Sequence, residues 1–165
     1  MTTQVYRVWI KATPEAIWDA VTSPEWTDRY GYGGVFEDPD LQPGSSYNIM
    51  AGAGMQTMGV NGPIVDGEVL EVDPPKRLVL TWRMLMDESL QAEGFTRLAY
   101  EIEPQDGGVT RLTVTHDLTG APGLAAMVAG EHEDAGAGGG WAWVLSDLKS
   151  LLETGEPLAT AAPSA

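Results

Sequence analysis

The chain has 165 residues with 24 acidic against 9 basic side chains, a net charge of −15, and no cysteine. Its length and its 43% hydrophobic fraction give one domain with a core of its own. The charge argues against nucleic acid as a partner, since that affinity rests on Lys and Arg displacing counterions, and the missing cysteines exclude disulfides, thiolate metal sites and cysteine nucleophiles.

From Gln4 to Ala12 apolar and polar residues alternate, which predicts a strand. Thr13-Pro14-Glu15 then supplies a capping hydroxyl, a proline at the first helical position and an acid at the positive end of the helix dipole. Ile17, Trp18 and Val21 give that helix its buried stripe. Ser23-Pro24-Glu25 repeats the start signal, so a second short helix follows, with Trp26 and Tyr30 at i, i+4 on one face. Short strands are expected at 35–37 and 46–50, and a loose glycine- and methionine-rich stretch from Ala51 to Pro63. Ile64 to Asp73 is a strand ended by Pro74-Pro75, and Arg77 to Met86 is the most apolar strand. Gly94 to Glu103 and Val109 to Leu118 flank Gln105-Asp106-Gly107-Gly108, a hairpin turn.

Ala121 to Gly140 is rich in alanine and glycine, its run at Gly138 to Gly140 suiting a close approach of the chain to the sheet or a hinge. Trp141 to Glu153 is the clearest helix. Trp141, Val144, Leu145, Leu148, Leu151 and Leu152 recur at the 3.6-residue period, while Ser146, Asp147, Lys149 and Ser150 take the polar face. Gly155 is placed as a left-handed cap, and Pro157 blocks continuation. Residues 1–157 form a single domain in this reading, with a disordered tail at 158–165. The fold class is α+β: a curved antiparallel sheet wrapped around the long C-terminal helix, two short helices following the first strand. A sheet curved around one cylinder leaves room for a cavity.

Three pieces of the sequence resemble a known family. They are Ala12-Thr13-Pro14-Glu15-Ala16-Ile17-Trp18 with Pro24-Glu25-Trp26, Gly67-Glu68-Val69 through Asp73-Pro74-Pro75-Lys76-Arg77 to Trp82, and Gly140-Trp141 with Leu145 to Gly155. In order and spacing they are similar to the SRPBCC superfamily of START-like, helix-grip domains, in the branch named after the heat-shock-protein ATPase activator homologues. The resemblance implies a cavity between the long helix and the sheet that holds hydrophobic small molecules. In the wider superfamily such cavities serve lipid carriers and polyketide cyclases. The glycine-rich 121–140 segment departs from the family pattern.

Residues two apart on a strand share a face. Leu78, Leu80, Trp82, Met84 and Met86 are therefore placed on the concave face with Leu98, Tyr100 and Ile102, and with Leu112, Val114, His116 and Leu118, all toward Trp141, Leu145 and Leu148. Trp82, Tyr100 and His116 are the candidate polar points of a cavity. For His116 three readings stand: a core histidine satisfied by a backbone carbonyl or a tyrosine, a donor to a ligand's oxygen, or a catalytic base. Met50, Met55 and Met58 suit a soft rim or plain gap-filling. Trp26 and Tyr30 are the opposite lip, and Trp18, Met84 and Leu145 complete the lining.

No metal or cofactor is expected. The cluster Glu131-His132-Glu133-Asp134 is consecutive rather than spaced to converge, and reads as a solvated loop. The expected partner is a small hydrophobic molecule, with a homodimer as an open alternative. A carrier, a cyclase-type enzyme using His116 or Tyr100, and a co-chaperone-like module remain the function classes. No run reaches the roughly 18 apolar residues of a membrane span. Together with the lack of a basic-then-apolar leader and of cysteine, this makes a cytoplasmic location the expectation.

Overall fold

The computed structural model of the chain describes residues 2–38, 40–131 and 139–158. Its seven strands are β1 (Thr3–Ile10), β2 (Gly34–Glu37), β3 (Ser46–Ala51), β4 (Pro63–Asp73), β5 (Arg77–Met84), β6 (Thr96–Pro104) and β7 (Thr110–Asp117). They form one antiparallel sheet in the order β1-β7-β6-β5-β4-β3-β2, so the first strand returns beside the last. The helices are α1 (Pro14–Thr22), α2 (Pro24–Thr27), α3 (Ala53–Gln56), α4 (Glu88–Ala92), α5 (Pro122–Val128) and α6 (Gly140–Thr154). This is the expected α+β arrangement of a curved sheet with a long C-terminal helix.

Local chemistry sets these elements. The Thr13 hydroxyl accepts the Ala16 amide at 3.1 Å and starts α1, as its sequence signal requires. Register shifts opposite Ile49/Met50 and at Val69/Glu71 leave Ile64 and Leu70 as extra residues of β4, two bulges that bend the sheet. The C-terminus of α6 is closed by Gly155 at φ 86°, its amide bonded to the Leu151 carbonyl at 2.9 Å.

The inner face follows the two-residue period. Leu78 pairs with Tyr100 and Tyr100 with Val114, while Leu80 pairs with Leu98 and Leu98 with His116. Leu78, Leu80, Leu98, Ile102, Leu112, Val114 and Leu118 are all buried against Trp141, Leu145 and Leu148 of α6. Each such side chain contributes roughly 1.5–3 kcal/mol through burial.

Several expectations are corrected. The second helix stops at Thr27, so Tyr30 lies beyond it rather than one turn above Trp26. β5 ends at Met84, and Met86 is 51% exposed instead of concave, because Asp87, the next residue, is already capping α4. α3, α4 and α5 occupy stretches whose sequence shows no period, each being two turns or less. Asp147, expected on the polar face of the last helix, is only 3% exposed. Gly140 does make a close approach, but to α5 and not to the sheet. Its φ is 70°, and a Cβ there would lie 2.1 Å from the Val128 carbonyl oxygen, so only glycine fits.

Candidate functional site

The inner face of β7 carries one histidine in an apolar row. His116 is fully buried, and Trp141 in the first turn of α6 reaches down to it. The indole Nε1–H donates to His116 Nδ1 at 3.1 Å. An indole nitrogen can only donate, so Nδ1 holds its lone pair and the ring proton sits on Nε2. Nε2 then donates to Thr96 Oγ1 at 2.8 Å, and the Thr96 hydroxyl donates to the Trp82 carbonyl at 2.8 Å. The relay is closed, with both imidazole nitrogens engaged by protein. The rings of Trp82 and Trp141 meet His116 edge-on, with centroids at 5.4 and 6.0 Å. Burial lowers the His116 pKa to about 4, so the ring is neutral near pH 7. The arrangement fixes the orientation of Trp141 over the sheet.

Tyr100 is different. It sits on the inner face of β6 between the buried Leu98 and Ile102, and its ring meets Trp141 edge-on at 6.3 Å. Its side chain nevertheless keeps accessible surface. No described residue hydrogen-bonds its hydroxyl, and burial raises its pKa above the usual tyrosine value. Among the described residues the one fully covered side-chain polar atom lacking a partner is Arg111 Nε, so the Tyr100 hydroxyl is not fully covered. Tyr100 is thus an inner-face residue whose hydroxyl is neither hydrogen-bonded nor fully covered.

Other aromatic and apolar residues packed on the core come from several elements. Tyr30 and Tyr47 feel the Tyr100 phenol electrostatically, which adds to the burial that raises both of their pKa values. Their own hydroxyls donate to the carbonyls of Ala20 at 2.9 Å and Thr81 at 2.7 Å. Tyr47 stacks on Phe36 at 5.2 Å and lies over Gly67, where a Cβ would come within 2.8 Å of its ring. Met84, Met55, Trp26, Ile49 and Val144 are half-buried against the core. The loop after α2 closes on α6: a Cβ at Gly31 would touch Val144 at 3.4 Å, and the Gly31 amide donates to Asp147 Oδ2 at 2.8 Å.

Of the residues singled out in the sequence, the structure brings Trp82, Tyr100, His116 and Trp141 together through ring contacts. Leu145 and Trp18 are core residues, and Trp26 lies under the Arg29 guanidinium at 4.7 Å. Met50 is not brought to them. It pairs with Val35 on the face opposite Tyr47 and Ala51, because the alternation of β3 turns it outward. Met58 is 79% exposed beyond α3. His132, Glu133 and Asp134 of the acidic cluster lie outside the described residues. Among the described residues no three His, Asp or Glu side chains converge as a metal site. Thr96, Tyr47 and Asp147 are the members that sequence reasoning missed. Tyr47 was open to detection, since the alternation of β3 puts it inside with Ala51.

Two hollows open on the surface elsewhere. One of 340 Å³ lies beside Gln4, Leu118 and Ala125, and one of 260 Å³ beside Leu70, Phe95 and Arg97. Neither is lined by a residue of the aromatic cluster.

The family model described as activator of Hsp90 ATPase homolog 1-like protein matches residues 11–153. No curated protein matches the chain. Among solved structures the chain is similar to the Aha1 dimer from Colwellia psychrerythraea, with TM-score 0.62 and 23% identity over 94% of this chain and 98% of that one. It is similar to an Hsp90 activator from Plasmodium falciparum, with TM-score 0.56 and 19% identity over 72% and 74%. It is similar as well to CalU16 from Micromonospora echinospora, with TM-score 0.64 and 17% identity over 98% and 71%. At these identities the likeness to solved structures carries the fold alone.

Proposed function

From the premise that the chain belongs to the activator of Hsp90 ATPase homolog 1-like family, we propose that it binds a small hydrophobic or aromatic molecule between α6 and the inner face of the sheet. The observation that carries this reading is Tyr100, an inner-face residue of a central strand left uncovered among buried neighbours. Aromatic and thioether side chains around one unpaired hydroxyl are the usual make-up of a small-molecule site. Binding rather than turnover is favoured by the closed His116 relay, which leaves no nitrogen available to take a proton. The likeness to a dimeric structure supports a homodimer as the assembly.

Thermal unfolding with a panel of lipids, flavonoids and polyketides tests the reading, alongside native mass spectrometry of the purified protein. At least one compound class should raise Tm in the parent chain, and Val144→Phe, which fills the gap from α6, should suppress that shift while still folding. No shift with any class and no co-purifying small molecule would overturn it.

A further inference from the structure

The inner face of the sheet is one-sided in its chemistry. Every Lys and Arg of β1 and of β5 to β7 points outward: Arg7, Arg77, Arg83, Arg97 and Arg111 occupy the alternate positions to Leu78, Leu98, Tyr100 and His116. Among the described residues the one buried charge is the Asp147 carboxylate. Its oxygens accept the amides of Gly31 at 2.8 Å and Leu158 at 2.6 Å, so it is bound into the backbone. The cation at the lip, Arg29, is exposed and stacked on Trp26.

An anionic ligand would therefore lose its hydration and find no cation inside, with the Asp147 carboxylate within electrostatic reach of Tyr30, in a chain whose net charge is −15. The hydroxyls within electrostatic reach of one another on this side are those of Tyr30, Tyr47 and Tyr100. Those of Tyr30 and Tyr47 already donate to carbonyls, which leaves the Tyr100 O–H to donate.

Resting on the binding function above, we infer that the ligand class is a neutral aromatic molecule bearing a hydrogen-bond acceptor, a ketone, ester or ether oxygen, which takes the Tyr100 proton. Fatty acids and aromatic carboxylates are excluded as ions. The acceptor oxygen bonds to the phenol while the ring system lies along Trp141 and Met84, and the carboxylate of Asp147 stays on the loop amides.

Equilibrium dialysis at pH 8 with three probes of one skeleton separates the possibilities: 2-acetylnaphthalene, 2-ethylnaphthalene and 2-naphthoate, each against the parent chain and Tyr100→Phe. The ketone should bind the parent roughly tenfold more tightly than the hydrocarbon, the scale of one well-made hydrogen bond. The carboxylate should bind roughly a hundredfold more weakly than the ketone. In Tyr100→Phe the ketone should fall to the level of the hydrocarbon measured in the same variant. If the hydrocarbon binds but the ketone gains nothing over it, or keeps its gain in Tyr100→Phe, the role of Tyr100 is refuted and the binding function stands. If the carboxylate binds as well as the ketone, the exclusion of anions is refuted. Failure of all three probes would overturn the inference, while a compound of the panel above that still raises Tm would keep the binding function standing.

Discussion

At the scale of single residues, His116 and Tyr100 occupy the same face and behave in opposite ways. His116 has a partner at each nitrogen, and burial holds its pKa at about 4, below the roughly 6.5 of an unfolded chain. Between those two values the unfolded chain takes up a proton that the folded chain refuses, so stability is complete above about pH 6.5 and declines as pH falls toward about 4. Moving from pH 8 to pH 5 should remove about 2 kcal/mol. Urea unfolding should show that slope in the parent and lose it in His116→Gln, and an equal slope in both would refute the assignment. Tyr100 has no partner, so Tyr100→Phe should leave stability within about 0.5 kcal/mol, whereas Tyr47→Phe, which deletes the bond to the Thr81 carbonyl, should cost about 1 kcal/mol. Equal costs in urea unfolding would mean that the Tyr100 hydroxyl is bonded after all. The inward aim of both residues was legible in the run Leu112, Val114, His116 and in Leu98, Tyr100, Ile102, because a strand has period two. Their partners were not, since Thr96 and Trp141 stand 20 and 25 residues from His116 and meet it only through sheet register and helix packing.

At the scale of elements, α6 does more than cover the sheet. Asp147 on its length receives the amide of Gly31 from the loop after α2 and that of Leu158 from the segment after the helix, fastening both to one carboxylate. Gly31 and Gly33 have positive φ, which lets the loop turn back onto α6, and the Tyr32 hydroxyl accepts the Gly140 amide at 3.1 Å beside it. Asp147→Ala should cost about 2 kcal/mol, since it takes a buried charged acceptor away from two part-buried amides. Amide hydrogen exchange should quicken at Gly31 and Leu158 before it quickens at Leu148. Uniform acceleration along α6 would show that the carboxylate supports the helix as a whole and not these two straps. Sequence pattern placed Asp147 on the solvent side because helical period separates apolar from polar residues, and it cannot register a polar face that backbone amides cover. The short helices escaped for a related reason. α4 is held by its Asp87 cap, with bonds of 2.8 and 3.3 Å to the amides of Ser89 and Leu90, and five residues are too few to display a period. The long helix and the strands β4 to β7 were legible because each buries a face along its whole length.

At the scale of the molecule, the sheet separates the charges. The outer face holds Arg77 against Glu71 at 3.1 Å and Glu101 at 2.8 Å, Arg83 against Asp66 at 2.8 Å, and Arg111 against Glu103. These pairs neutralise bases where they stand and leave few, such as Arg29 and Lys149, to offset the acids on the other side, among them Glu15, Asp19, Glu25 and Asp28 on or next to α1 and α2. Salt acts on the two sets in opposite directions. It weakens the pairs, each worth about 0–1 kcal/mol at such exposure, and it screens the repulsion among the 15 uncompensated charges. The repulsion is long-ranged and summed over many acids, so its screening should dominate. Raising NaCl from 20 to 500 mM at pH 8 should therefore lift Tm by roughly 2–4 °C, the equivalent of about 1 kcal/mol for a chain of this length. Calorimetry at the two salts decides the matter. A fall in Tm would show that the paired outer face contributes more to stability than the acidic side takes away, and Arg77→Met, which breaks two of the pairs, should then abolish the fall.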